Sequence, residues 1–235
     1  MGTNYYYNIV LTGCASGLGS LLGNYLSKKG CNVIGLSRRN NIKNNFKSIK
    51  CDIRHLNQLK KTLHKIKKID CLINNAGIAR SEYKDKIKNF EEIIRTNLYG
   101  TYYMSHLLKK KLGQSNRGSI INIGSIAAHH GGVDNPGYVS SKSGIIGLTK
   151  ALANDYYPEN IRVNSISPGY FKSPMTEKSY KSKKRKRHID SRLIMNRWGE
   201  AKDLFGLVEY LMSEKASYVT GQDFVIDGGL LAKGL

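Results

Sequence analysis

The sequence has few cysteines and no long apolar segment. Its four cysteines, at positions 14, 31, 51 and 71, form no CxxC pair, which argues against a zinc site and against a disulfide scaffold. No apolar run approaches ~18 residues, so the sequence predicts no membrane-spanning helix. The first ten residues lack a basic region and a small-residue cleavage site, so we expect no secretory signal and a cytoplasmic protein.

Acidic residues are also scarce. The 235 residues include 17 Asp and Glu against 38 Lys and Arg, and the formal net charge is +21. Such an excess is compatible with a nucleic acid, an anionic membrane surface or an acidic substrate as partner. It is equally compatible with a lysine-rich composition spread over a solvated surface. With 40% hydrophobic residues and 24 glycines, the chain is predicted to be globular.

Strand-like and helix-like segments alternate along the chain. Short apolar runs predict strands at residues 8–11, 31–36, 47–51, 70–73, 119–123, 161–166 and 224–226. Helical periodicity predicts helices at residues 18–29, 56–68, 90–111, 136–157 and 204–212. Residues 40–46 are too few and too polar for a full crossover helix and predict a turn or a single helical turn. This order favours an α/β fold in one domain spanning 1–235: a doubly wound parallel sheet of about seven strands with helices on both faces.

A glycine-rich loop joins the first predicted strand to the first predicted helix. It has the spacing G-x3-G-x-G, with glycines at Gly13, Gly17 and Gly19. Glycines here allow a tight turn and a close approach to a pyrophosphate, which the helix N-terminus attracts. Ser16 and Leu18 complete the candidate phosphate-binding set. The alternative is that these glycines serve only the turn.

Four polar residues further along the chain have the chemistry of a catalytic site. Tyr138 and Lys142 lie four residues apart on one predicted helix face, and Ser125 follows the strand predicted at 119–123. A free tyrosine has a pKa of about 10, and a nearby cation lowers it. Tyr138 is therefore a candidate proton donor and acceptor. Asn97 lies in the long predicted helix before them.

These motifs, taken in order, resemble the short-chain dehydrogenase/reductase family. They are TGxxxGxG at 12–19, NNAG at 74–77, Asn97, Ser125, YxxxK at 138–142 and Pro168-Gly169. Residues 218–229 also resemble the family's C-terminal strand, so the resemblance covers essentially the whole chain. It implies a Rossmann-type NAD(P)-binding fold. It also implies an oxidoreductase that interconverts a carbonyl and a secondary alcohol by hydride transfer.

The resemblance also implies a role for each catalytic residue. Tyr138 is the acid/base, and Ser125 hydrogen-bonds the reacting oxygen. Lys142 holds the nicotinamide ribose, and Asn97 anchors a water that links Lys142 to solvent. No metal is needed for such a transfer.

Further cofactor contacts follow from the same resemblance. Asp52 and Ile53 would contact adenine, and Asn75, Ala76 and Gly77 would line the adenosine ribose. Pro168 and Gly169 would lie beside the nicotinamide, and Ser173 stands where relatives often carry a cofactor-binding threonine.

The end of the second predicted strand bears on the choice of cofactor. Ser37-Arg38-Arg39 contains no carboxylate for a ribose 2′-hydroxyl, and Arg38 is well placed for a 2′-phosphate. NADP(H) is therefore favoured over NAD(H). One departure is Ser16, because many NADP-using relatives have a basic residue there. The alternative is that both arginines are ordinary surface residues.

Substrate recognition is expected in a loop at about 170–200. Within it, six of the seven residues at 181–187 are basic. Three interpretations of this basic run are open. It is a solvated mobile lid, it attracts an anionic substrate, or it is a nuclear-localisation signal or a nucleic-acid-binding patch. Met175 and residues 193–195 flank it and would line an apolar pocket. Residues 167–176 resemble both 3-oxoacyl-carrier-protein reductases and gluconate 5-dehydrogenases. The expected substrate is therefore an acyl thioester on a carrier protein or CoA, or a sugar or sugar acid.

One other class of function remains open. An idle family member would bind an acidic partner or a nucleic acid through its basic surface. The complete set of Asn97, Ser125, Tyr138 and Lys142 argues against this, and a nucleic-acid partner is not expected. The family resemblance further implies a homo-oligomer, a tetramer or dimer, paired through the helices predicted at 90–111 and 136–157.

Overall fold

The computed structural model describes residues 7–39, 43–131 and 135–234. It contains one sheet of seven parallel strands in the order β3-β2-β1-β4-β5-β6-β7. The strands are β1 Asn8–Thr12, β2 Asn32–Ser37, β3 Lys47–Lys50, β4 Cys71–Asn74, β5 Ser119–Ile123, β6 Arg162–Pro168 and β7 Asp223–Ile226. The predicted doubly wound parallel sheet is confirmed. Of the turn predicted at 40–46, residues 40–42 lie outside the described residues.

Eight α-helices lie in the described part of the chain. They are α1 Gly17–Lys28, α2 Leu56–His64, α3 Lys86–Ile94, α4 Gly100–Gly113, α5 Pro136–Tyr156, α6 Glu177–Lys181, α7 Lys183–Arg192 and α8 Lys202–Met212. Helices α2, α4 and α5 pack on one face of the sheet, and α1 and α8 pack on the other. Side chains alternate between the two faces of the sheet along β1. Val10 packs in the layer with α2, α4 and α5, and Ile9 and Leu11 pack in the layer with α1 and α8.

The prediction of one uninterrupted α-helix at 90–111 is wrong. A turn of π-helix, Arg95–Tyr99, separates α3 from α4, and α3 begins four residues earlier than predicted. The buried Asn97 amide accepts a hydrogen bond from Ile78 N at 2.8 Å and donates to Ser141 Oγ at 2.9 Å. The π-turn therefore coincides with long-range contacts that helical periodicity does not encode.

The helix predicted at 56–68 is also shorter in the structure. It ends at His64, because Lys111 Nζ reaches over from α4 and donates to Leu63 O at 2.7 Å. A cation that caps the last carbonyls of a helix stabilises its C-terminus. Lys67 and Lys68 consequently lie beyond the helix rather than on its solvent face.

The basic run at 181–187, expected as a loop, is mostly helical. Ser182 caps α7, its hydroxyl accepting from Arg185 N at 3.4 Å. On the inner face of α7, Ile189 and the following Leu193 are buried with Ile126 and Trp198. These apolar contacts explain why so charged a segment folds as a helix, since its exposed charged side chains occupy the other face.

The structure also bears on membrane-spanning helices, on the state of the cysteines and on metal sites. No helix within 7–39, 43–131 or 135–234 is both long and apolar enough to cross a bilayer. The four cysteines are buried thiols. In the same ranges, no group of three or more His, Cys, Asp or Glu side chains is arranged to hold a metal ion.

Candidate active site

One cleft lies where the carboxyl ends of β1, β2, β4, β5 and β6 meet, as expected for a ligand site on an open parallel sheet. Every predicted site residue except Asn97 lines it. These residues are Gly13, Ser16, Gly17, Leu18, Gly19, Ser37, Arg38, Asp52, Ile53, Asn75, Ala76, Gly77, Ser125, Tyr138, Lys142, Pro168, Gly169 and Ser173. Asn97 is buried behind the cleft, where its amide holds the segment at Ile78.

Two of the three glycines in the loop, Gly13 and Gly19, have no room for a side chain. A Cβ at Gly19 would lie 2.4 Å from Asn75 Nδ2, and one at Gly13 would lie 2.7 Å from Ala76 Cα. Gly17 has φ +58°, a left-handed conformation that favours glycine, and its Cβ would project to within 3.5 Å of Pro174 on the far wall. The loop thus keeps the cleft open at the N-terminus of α1.

Asn75 and Ala76 hold this loop in place. Their backbone N–H groups both donate to Thr12 Oγ1 at 3.0 Å, and Asn75 Nδ2 donates to Thr12 O at 3.0 Å. The Asn75 side chain is thus committed to bracing the loop. The backbone of Ala76 and Gly77 still faces the cleft.

Tyr138 and Ser125 both line the cleft, and Ser125 influences the phenol of Tyr138. Burial raises the pKa of the Tyr138 phenol above its ordinary value, while Ser125 lowers it in part. Ser125 Oγ also accepts from Ala127 N at 3.1 Å. Because that contact uses a lone pair of Ser125, its hydroxyl hydrogen stays available for a reacting oxygen.

Lys142 places a buried ammonium next to this pair. Its side chain donates to Ile123 O at 2.7 Å, and Nζ lies 5.8 Å from the centre of the Tyr138 ring. Burial lowers the pKa of Lys142 to about 8. A Cβ at Gly77 would lie 3.5 Å from Nζ, so the glycine leaves space in front of the ammonium.

The end of the cleft beside β2 and β3 combines two exposed arginines with a paired carboxylate. Arg38 and Arg39 both line it. Asp52 accepts Arg54 Nε at 2.9 Å, and Arg54 also pairs with Glu92 of α3. Burial alone would raise the pKa of Asp52, but the hydrogen bonds and charge of Arg54 hold it below the ordinary value. Sequence reasoning missed Arg54, and the predicted adenine contact of Asp52 stays a prediction.

The donor set of the cleft fits a nicotinamide dinucleotide. Lys142 has no carboxylate partner among the described residues, and the buried Thr96 hydroxyl, which lines the cleft, makes no protein hydrogen bond. Ribose hydroxyls would supply partners for such groups, and the N-terminus of α1 suits a pyrophosphate. The sequence prediction overlooked Thr96, although it directly precedes Asn97.

Comparison with known proteins decides the family. A family model described as enoyl-(acyl carrier protein) reductase matches residues 13–231. The chain belongs to the short-chain dehydrogenase/reductase family. The 2-dehydro-3-deoxy-D-gluconate 5-dehydrogenase of Escherichia coli is 32% identical over 240 residues, covering 95% of both chains. The 3-oxoacyl-(acyl-carrier-protein) reductase of Rickettsia bellii is 32% identical over 232 residues, covering 94% of this chain and 95% of its own.

Solved structures of similar dehydrogenases carry nicotinamide cofactors. A protein named as a 2-deoxy-D-gluconate 3-dehydrogenase, from Agrobacterium tumefaciens and with bound NADP, is 30% identical with a TM-score of 0.87 over 97% of both chains. A 4-hydroxyisoleucine dehydrogenase complexed with NADH is 31% identical with a TM-score of 0.89, over 97% of this chain and 100% of its own. The predicted family and its oxidoreductase activity are confirmed, and a nicotinamide cofactor is supported.

The segment after β6 bounds one side of the cleft. Phe171, Met175 and Thr176 line the cleft there, and Thr176 Oγ1 accepts from Ser173 N at 3.1 Å. Of the predicted apolar anchors, Met175 faces the cleft and Leu193 is buried beneath α7. Ile194 and Met195 are exposed.

The outer face of α7 is a basic surface, which we define by Lys183, Lys184, Arg187 and His188. With Ser191 these residues line a shallow groove. The only acidic residue of α7, Asp190, is used on the inner face, where it accepts Trp198 Nε1 at 2.9 Å and pairs with Lys186. Within the described residues no carboxylate pairs with this surface.

Proposed function

We propose that this enzyme interconverts a ketone and a secondary alcohol with NADP(H), using Tyr138 as the general acid and base. One observation carries the proposal. Tyr138, Ser125 and the buried ammonium of Lys142 face one cleft that fits a dinucleotide, with Lys142 Nζ 5.8 Å from the centre of the Tyr138 ring. Groups of this kind are what proton transfer to a carbonyl oxygen requires.

The chain's own residues handle the oxygen and its proton. Ser125 donates to the carbonyl oxygen and orients it, and Tyr138 delivers the proton that completes the alcohol. When bound, the nicotinamide supplies the hydride for the carbon. Lys142 keeps N–H groups for a ribose hydroxyl, and its charge favours the Tyr138 phenolate left after proton transfer. Asn97 keeps the role that the family resemblance implies: it anchors a water molecule that returns a proton to Tyr138.

The preference for NADP(H) rests on Arg38 and Arg39. Both are exposed at the proposed adenosine end, while Asp52, a predicted adenine contact, is paired with Arg54. A guanidinium favours a 2′-phosphate, and an available carboxylate would favour a 2′-hydroxyl. This arrangement supports NADP(H) over NAD(H).

For the substrate we propose a sugar acid or a related hydroxy acid. The related enzymes named above include a 2-dehydro-3-deoxy-D-gluconate dehydrogenase at 32% identity over almost the full chain. A second candidate is a 3-oxoacyl thioester on a carrier protein, as the name of another relative suggests. The basic surface of α7 favours this second candidate, because an acidic carrier would be attracted to it.

A substrate panel tests the proposal. Purified protein is assayed with NADPH and NADH against keto sugar acids, aldoses and 3-oxoacyl thioesters, and in reverse with the corresponding alcohols and NADP+ or NAD+. We expect turnover of at least one ketone, with NADPH preferred. Binding of neither cofactor, together with salt-sensitive DNA binding, would instead support the idle alternative.

The remaining proposals concern organisation. We propose that residues 1–235 form a single domain, that the protein is cytoplasmic, and that copies pair through α4 and α5. Exposed Tyr102 on α4 and exposed Tyr99, directly before α4, support pairing, since large aromatic side chains are enriched at interfaces. Light scattering on the purified protein would give a dimer or tetramer mass if pairing occurs and a monomer mass if not.

A further inference from the structure

The segment that carries Ser125 is held from both ends by a cluster outside the cleft. Ser125 begins a short 3₁₀ turn, Ile126–Ala128, and His129 follows that turn. His129 Nε2 lies 2.8 Å from Asp223 Oδ2 on β7. A carboxylate only accepts hydrogen bonds, so the imidazole is the donor.

Asp223 is itself fixed by the neighbouring strand. Its carboxylate accepts Ser165 Oγ at 2.6 Å and Ser167 Oγ at 2.9 Å, and both serines belong to β6. The Asp223 side chain is only 9% exposed. The acceptor that meets His129 therefore has little freedom to move.

The other end of the segment rests on the same cluster. Gly124, directly before Ser125, packs so closely that a Cβ there would lie 2.7 Å from Ser167 Oγ. The same Cβ would lie 3.8 Å from Asp223 Oδ1. Gly124, before Ser125, therefore packs against Ser167, and His129, after the turn, binds Asp223, the carboxylate that Ser167 also binds.

His129 and Asp223 are not themselves part of the cleft wall, whereas Ser125 and Tyr138 are. We propose that His129 and Asp223 form a strap that holds Ser125 in its position in the cleft with Tyr138. The strap thus acts through Ser125 as a positioning device for the reaction, and in this respect the inference rests on the proposed function.

The strap makes a prediction about proton chemistry as well as about structure. Ser125 lowers the pKa of Tyr138, while burial raises it, and Lys142 is the other ionisable group beside the phenol. If Ser125 shifts away, the pKa of Tyr138 rises. Alcohol oxidation needs the phenolate form of Tyr138. In a variant without the strap, the midpoint of the rise in oxidation rate with pH should therefore lie at a higher pH than in the wild type.

Three variants test the strap. His129→Ala removes the donor, whereas His129→Gln keeps an N–H donor at similar reach and removes the ionisable ring. His130→Ala is the control at the neighbouring residue, because among the described residues the His130 ring hydrogen-bonds only the carbonyl oxygen of the adjacent Gly131. We expect the oxidation midpoint to move up by about 0.5 pH unit in His129→Ala. His129→Gln and His130→Ala should match the wild type.

Two results would overturn the strap. One is an unchanged midpoint in His129→Ala. The other is an equal shift in His129→Ala and His129→Gln, which would assign the effect to ionisation of the imidazole. If His129→Ala fails to fold, Asp223→Asn replaces it, since Asn keeps an acceptor for the serines but loses the charge that binds His129.

Hydrogen exchange separates the strap from the proposed function. The Ala127 N–H donates to Ser125 Oγ, so a peptide spanning residues 124–131 reports on the turn without any substrate. Exchange should be roughly threefold or more faster in His129→Ala and unchanged in His129→Gln. A wild type without dehydrogenase activity would contradict the proposed function. Unchanged exchange in His129→Ala would contradict the strap.

Discussion

The ammonium of Lys142 lies 2.7 Å from the carbonyl oxygen of Ile123, the last residue of β5. That carbonyl is its only hydrogen-bond acceptor among the described residues, and the side chain is almost fully buried. A buried cation without a carboxylate is costly for folding. The enzyme therefore maintains a destabilising charge at the position where a cofactor ribose and the Tyr138 phenol would use it.

Removing this charge should stabilise the free protein. The pKa of Lys142 is about 8 in the fold, below its unfolded value, so protonation opposes folding at neutral pH. We expect Lys142→Met to increase the free energy of unfolding at pH 7 by about 1–2 kcal/mol while abolishing turnover. The advantage should shrink as the pH rises above 8, because the native wild type then loses the proton. Denaturant unfolding at pH 7 and pH 9.5 checks this, and an advantage that grows with pH would contradict it.

Arg38 should determine cofactor preference. A charge-assisted contact with a 2′-phosphate contributes about 1.5–3 kcal/mol, so Arg38→Ala should raise the KM for NADPH by about 10- to 100-fold. The KM for NADH should change by less than about threefold, because NADH lacks that phosphate. Arg192→Ala, an exposed arginine on α7, is the control. A larger loss in Arg39→Ala would assign the phosphate to Arg39 instead.

The glycine loop should not tolerate a methyl group at Gly19. The added Cβ would lie 2.4 Å from both Asn75 Nδ2 and Gly13 O, so the backbone must move. We expect Gly19→Ala to cost about 1–3 kcal/mol of stability and to weaken NADPH binding by about tenfold or more. Gly206→Ala is the matched control, since nothing lies within 4 Å of its Cβ on α8. In Gly206→Ala the free energy of unfolding, measured by thermal denaturation, should increase by about 0.5–1 kcal/mol.

The basic surface of α7 should matter only for an acidic carrier. We expect Lys184→Glu combined with Arg187→Glu to lower kcat/KM for a carrier-bound 3-oxoacyl thioester about tenfold at low salt. Turnover of the same acyl group on a small neutral thiol should not change. An equal effect on both substrates, or on neither, would contradict the docking role.

Local sequence signals predicted the sheet and the cleft well. The strand at 119–123 has the same bounds in the structure, and the loop at 12–19 lies where its glycines indicate. Both depend on short-range chemistry: apolar runs long enough for one buried strand, and glycines where a backbone turns against a neighbouring strand.

Contacts between distant residues explain what the sequence did not reveal. The π-turn at Asn97 coincides with hydrogen bonds to Ile78 and Ser141, and the end of α2 depends on Lys111. Helix α7 depends on Ile189 and Leu193 meeting Trp198, which a count of basic residues hides. The strap of His129 and Asp223 joins residues 94 positions apart, and no local sequence motif predicts this contact.

Isotope transfer tests the central claim most directly. Wild type and Tyr138→Phe are given NADPH deuterated at the transferred position, with the best ketone from the panel, and the product is analysed by mass spectrometry. The account predicts one deuterium on the carbinol carbon. It also predicts a rate at least about 100-fold lower in Tyr138→Phe, with NADPH affinity unchanged. A product without deuterium, or a Tyr138→Phe enzyme as fast as the wild type, would contradict it.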